Sequence, residues 1–83
     1  MTIWKYELAI TDRQEIIMPY GARVLSVANQ GGNLCVWAMV DPTHDRRPLG
    51  FRIVGTGHPC GVSLGTFIGT VVIDPFVWHV FQE

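Results

Sequence analysis

The chain is 83 residues long, enough for one domain whose single core is only just self-sufficient. Apolar residues make up 48% of it and charged residues only 16%, which excludes a disordered chain and leaves more apolar surface than the polar groups can cover. A net charge of −1, with Lys and Arg scattered along the chain, excludes a direct nucleic-acid binder of the usual basic-faced kind.

Turn signals recur too often for long helices, so the chain reads as short strands. Ile3–Ile10 alternates, with Trp4, Tyr6, Leu8 and Ile10 on one face and Lys5 and Glu7 on the other. Glu15–Met18 is a second strand, stopped at Pro19-Tyr20-Gly21. Ala22–Asn29 and Leu34–Val40 flank Gln30-Gly31-Gly32-Asn33, a hairpin signal because glycines accept the positive φ of such turns. Leu34–Val40 is apolar on both faces and is expected to be buried on both, by the domain's core and by a second layer or another subunit. Asp41–Pro48 is polar and predicts an exposed loop. Leu49–Val54, Thr66–Ile73 and Phe76–Phe81 complete the strands, with a Gly-rich loop over Gly55–Gly65 and a turn at Asp74-Pro75. The pattern predicts an all-β domain, a compact sandwich or a partly open barrel of about seven antiparallel strands.

The catalytic inventory is poor. Ser26 and Ser63 lack a G-x-S-x-G turn, the carboxylates are dispersed, and Cys60 with His58 or His79 is the one conceivable nucleophile–base pair. The spacing of His44, His58, His79, Cys35 and Cys60 is not that of a zinc site, and no cofactor motif is present. His79 reads as a half-buried strand residue with a local hydrogen-bond partner. Cys35 reads as a small buried hydrophobe and Cys60 as a loop residue, and their spacing does not establish a disulfide. No apolar run approaches the roughly 18 residues of a bilayer span, and Met1–Lys5 lacks a signal-peptide plan. Cytosolic is therefore the default location.

Phe51-Arg52-Ile53-Val54-Gly55-Thr56-Gly57-His58-Pro59 is the segment most open to function. Its glycines either reverse the chain tightly or let Thr56, Gly57 and His58 present donors to an anion, with Arg52 as charge partner. Asp41, Asp45, Arg46 and Arg47 read as a solvated loop whose arginine pair suits an acidic partner.

The chain resembles a family of short phage and prophage proteins. The likeness rests on T-I-W-K-Y-x-L at Thr2–Leu8, M-P-x-G-A at Met18–Ala22 and W-A-x-V-D-P at Trp37–Pro42. It continues with F-x-I-x-G-T-G-H-P at Phe51–Pro59 and W-H-V-F at Trp78–Phe81. After that loop the chain departs from the pattern, with Cys60-Gly61-Val62 where longer polar linkers are usual. The resemblance implies a phage accessory protein that acts in the host cytosol by stoichiometric binding. Combined with the composition, it predicts a non-catalytic homo-oligomer that sequesters a small anionic, nucleotide-like ligand. Arg52, Thr56, Gly57 and His58 would form the polar wall, with Trp37 or Trp78 stacking. The alternative is a direct protein inhibitor of a host defence or nucleic-acid-processing complex. It would make contact through Asp41, Asp45, Arg46 and Arg47 or through an open strand edge.

Overall fold

A computed structural model describes residues 1–83 as seven antiparallel strands without a helix. The strands are β1 (Thr2–Leu8), β2 (Arg13–Pro19), β3 (Arg23–Gln30), β4 (Asn33–Val40), β5 (Arg46–Gly55), β6 (Thr66–Ile73) and β7 (Phe76–Gln82). They form two sheets, β1-β4-β3 and β2-β5-β7-β6, stacked face to face as a sandwich that does not close into a barrel.

The core is the product of period-two alternation. Leu34, Val36, Ala38 and Val40 project inward from β4 and meet Phe51 and Ile53 of β5, Val80 of β7 and Val71 of β6. Leu8 and Met18 close the two ends of this layer. Burial of Phe51 or Leu34 alone is worth about 2–3 kcal/mol against exposure, and no polar side chain interrupts the core.

The sandwich is sealed along one flank and open along the other. β3 and β6 carry bulges at Val24/Ser26 and Phe67/Gly69 and lie against one another. Asn29 Nδ2 donates to the Val72 carbonyl at 3.2 Å, and a Cβ on Gly69 would come within 2.9 Å of Val27 Cγ1. On the opposite flank, β1 and β2 are the last strands of their sheets.

Three expectations need correction. Ile10 lies outside β1 and is 48% exposed, because the chain turns away after Leu8. The fifth strand begins at Arg46, not Leu49: Arg46, Arg47 and Pro48 pair with Pro19, Met18 and Ile17. Before Phe51 only β2 pairs with β5, so proline is tolerated there despite its missing N–H. Finally, no second layer of this chain covers the outward face of β4. Cys35 is buried there by its own sheet, Trp37 and Met39 remain half-buried, and Lys5 Nζ reaches from β1 across β4 to Gln30 Oε1 of β3 at 2.6 Å.

Candidate functional site

The end of β5 and the segment that follows build a cleft. Gly55-Thr56-Gly57-His58 is a tight turn, with His58 N–H donating to the Gly55 carbonyl at 3.0 Å. Gly57 occupies its third position at φ +84°, the conformation that a type II turn demands and that glycine supplies without strain. The turn folds the His58 ring back over Gly55, where a Cβ would lie 2.6 Å from His58 Nδ1 and 3.1 Å from Trp78 Cζ3. His58 thus stands edge-on to Trp78, with ring centroids 6.3 Å apart and planes at 64°. Glycine at position 55 is required for this approach.

Around these rings lies a cleft of about 390 Å³. Ile10, Thr11 and Asp12, between β1 and β2, form one wall, and Pro59–Gly61 with Leu64 form another. The Ile53–Gly55 end of β5 is the floor, and Arg52 lines the rim. The Asp12 carbonyl accepts from Ile53 N–H at 3.2 Å, which anchors the first wall to β5. The cleft therefore offers two aromatic rings, an apolar floor and one carboxylate.

The sequence-predicted ligand wall is divided by the pleat of β5. His58 and Trp78 share the cleft. Thr56 instead turns its hydroxyl to the outward face of the β2-β5-β7-β6 sheet, where Thr56 Oγ1 lies 2.7 Å from His79 Nε2. Thr70 Oγ1 holds the other nitrogen of that ring at 2.9 Å, so His79 is a half-buried strand residue pinned by two hydroxyls. Arg52, of the same parity as Thr56, projects to that outward face as well, so its guanidinium is not part of the expected ligand wall, and its Nε donates to Glu83 Oε2 at 2.7 Å. Glu83 in turn accepts from Arg13 Nη2 at 2.8 Å. These two guanidiniums hold the Glu83 carboxyl down at about 2, first through the Arg13 hydrogen bonds and then through Arg52. Trp37 lies on the outward face of the other sheet, paired with Lys5 and Ser26, and takes no part in the cleft.

Residues 1–83 match a family model described as a domain of unknown function (DUF7352). The chain belongs to this family. Neither curated proteins nor solved structures contain a match to it.

The Asp41–Arg47 segment is knitted to itself at the far end of β5. Asp41 Oδ1 accepts from Thr43 N–H at 3.0 Å and from its hydroxyl at 2.6 Å, and these bonds hold the Asp41 carboxyl below its ordinary range. His44 Nδ1 donates to the Tyr20 carbonyl at 2.8 Å, while Nε2 lies 3.3 Å from Asp41 Oδ2. Arg46 covers the Trp4 ring at 5.4 Å and donates to the Pro42 and His44 carbonyls. Arg47 is freer, with Asp45 at 3.6 Å and the exposed Tyr20 ring at 5.7 Å. Tyr20 and Arg47 border a second groove of about 470 Å³ along Met18–Ala22 and Pro48–Leu49.

Sequence reasoning missed the Ile10–Asp12 wall, because those residues belong to no strand and approach β5 only through the fold. The sole hint was Ile10, an apolar residue at the end of an alternating run and beside the polar Thr11-Asp12. Cys35 and Cys60 are both free, one buried and one exposed.

Proposed function

We propose that this chain is a phage-type, non-catalytic binding protein of host–virus conflict, which holds a small nucleotide-like ligand in the His58–Trp78 cleft. The observation that carries the reading is the way Gly55 and Gly57 sacrifice side chains to bring an exposed imidazole beside an indole in a cleft of about 390 Å³. Two rings at that site suit a planar base. Asp12 disfavours a densely charged ligand without a base. The phage setting and the host cytosol come from the resemblance of the motifs at Thr2–Leu8, Phe51–Pro59 and Trp78–Phe81 to those of phage proteins.

Native mass spectrometry of the purified protein, followed by titration calorimetry with a panel of mono-, di- and cyclic nucleotides, tests this reading. The expected result is a nucleotide retained in the folded protein and released chemically unchanged on denaturation. His58→Ala should weaken binding by about tenfold or more, as expected for loss of one ring contact, without altering the circular dichroism spectrum. Unchanged affinity in that variant sinks the site, and recovery of an altered ligand sinks the non-catalytic reading.

The second reading, a protein inhibitor of a host complex, is favoured by Tyr20 and Arg47 at the edge of the second groove. Arg47→Glu is the cleaner probe, since Arg46 also supports Trp4 and the Pro42 and His44 carbonyls. A host complex that survives size exclusion without any small molecule, and is weakened by Arg47→Glu, would establish it.

A further inference from the structure

The free edges of the sandwich are not equivalent. β3 and β6 cover one another, as Asn29 and the Gly69–Val27 approach show. β2 ends in Pro19, and its outward charges are occupied, since Arg13 bonds both Glu83 and Glu15. β1 remains: seven residues without proline or bulge, hydrogen-bonded to β4 on one side only. Strand edges that must stay single are normally blunted with proline, bulges or charged side chains, lysine above all. β1 has neither proline nor bulge, and its two charges, Lys5 and Glu7, are of opposite sign and can satisfy each other across a two-fold axis. On its outward face, Lys5 and Glu7 stand two residues apart with opposite charge; Lys5 Nζ is held across β4 by the neutral Gln30 Oε1 at 2.6 Å, and Glu7 has no polar partner within the chain.

We infer that β1 is a self-pairing edge, through which two copies of this chain join antiparallel into one continuous sheet, β3-β4-β1-β1-β4-β3. Going beyond the proposed ligand site, this names a second copy of the chain as the partner. A two-fold axis perpendicular to the sheet pairs residues of like parity, so the register is set by the residue on the axis. With Lys5 on the axis, the two lysines oppose each other. With Tyr6 on the axis, each Lys5 faces Glu7 of the partner subunit, and Trp4 faces Leu8 of the partner subunit. In that register each Lys5 exchanges Gln30 for the carboxylate of Glu7 of the partner subunit, giving two symmetric ion pairs on the outward face, and it is the one the charges select. It also sets the start of one β1 against the end of the other. The exposed apolar side chains at the start of the strand, Met1 (77% exposed) and Ile3 (54%), are thereby brought against the second copy and covered. Charge-poor composition and incomplete apolar cover thus have a common outlet.

Sedimentation velocity over a concentration series, on the full chain and two single variants, tests the pairing. The wild type is expected to dimerise. Lys5→Glu places two carboxylates opposite each other twice, and Glu7→Lys does the same with ammonium groups; each should weaken the homodimer by roughly 30-fold. An equimolar mixture of the two variants restores both ion pairs, so it should yield a heterodimer of wild-type affinity. This rescue also excludes misfolding as the cause of either loss. A wild type that stays monomeric across the series, a dimer indifferent to both variants, or a mixture no tighter than its components would overturn the proposal. Failure here is separable from failure of the cleft reading, since dimer mass reports one and nucleotide retention by His58→Ala reports the other.

Discussion

Glu83 illustrates how much a single exposed residue can organise. Its carboxylate receives Arg13 and Arg52 together, and its N–H donates to the Gly50 carbonyl at 2.9 Å, so it ties β2, β5 and the end of β7 together. The absence of a side chain at Gly50 leaves room for it. Because the folded protein holds this carboxyl at about 2 rather than its ordinary 4.5, protonation favours the unfolded chain. The stabilisation is fully present above pH 4.5 and is lost as pH falls through about 2. Thermal unfolding of wild type and Glu83→Gln should therefore differ near neutral pH and converge at the acid end. A difference that persists below pH 2 would remove this ion network as its source. Gly57 offers a second residue-level prediction. At φ +84°, with open space around the missing Cβ, Gly57→Ala meets no atom but must adopt a left-handed conformation, costing about 1–2 kcal/mol in a denaturant melt. A neutral Gly57→Ala would mean that the turn relaxes readily and that His58 is not rigidly placed.

At the level of elements, strands were legible wherever alternation met a clear turn. β6 and β7 follow from Thr66–Ile73 and Phe76 onwards with the Asp74-Pro75 break, and the β3–β4 hairpin follows from Gly31-Gly32. The start of β5 was not legible. Arg46-Arg47-Pro48 has the composition of a loop, and only pairing with Met18 and Pro19 makes it a strand. The candidate site was half legible for the same reason: local sequence located the turn at Gly55–His58, but not the side of β5 to which each residue projects. Thr56 and His58 therefore separated, Trp78 stayed, and Trp37 proved to belong to the other sheet. β4 was read correctly as apolar on both faces, yet those faces differ in energetic weight. Leu34→Ala, on the inward face and 2% exposed, should cost about 2–5 kcal/mol. Met39→Ala, half-buried on the outward face, should cost clearly less in the same equilibrium unfolding experiment. Equal losses would mean that the outward face is also packed, by a partner present in solution.

For the molecule as a whole, a sandwich sealed at β3–β6 and open at β1 and β2 has an asymmetric supply of unpaired backbone groups. In a strand with one neighbour, alternate residues direct their N–H and C=O groups away from the sheet. Half of the β1 amides are therefore bonded to β4, while the other half face the flank. Amide hydrogen exchange followed by NMR separates these two sets residue by residue. In dilute protein, the outward set of β1 should exchange as quickly as loop amides, whereas β4 and β5 should show the protection of global unfolding. At high concentration, self-pairing should slow the outward β1 amides selectively, because each gains a carbonyl acceptor from the second copy. The β2 edge should stay unchanged, since its outward charges are engaged by Glu83 and its end is closed by Pro19. Slowing confined to β2 would move the interface to the neighbouring edge. Slowing of side chains and amides around Trp37 and Met39, without change in β1, would indicate face-to-face association of the uncovered β1-β4-β3 sheet instead. The pattern thus reads out which of the molecule's incomplete surfaces a second copy completes.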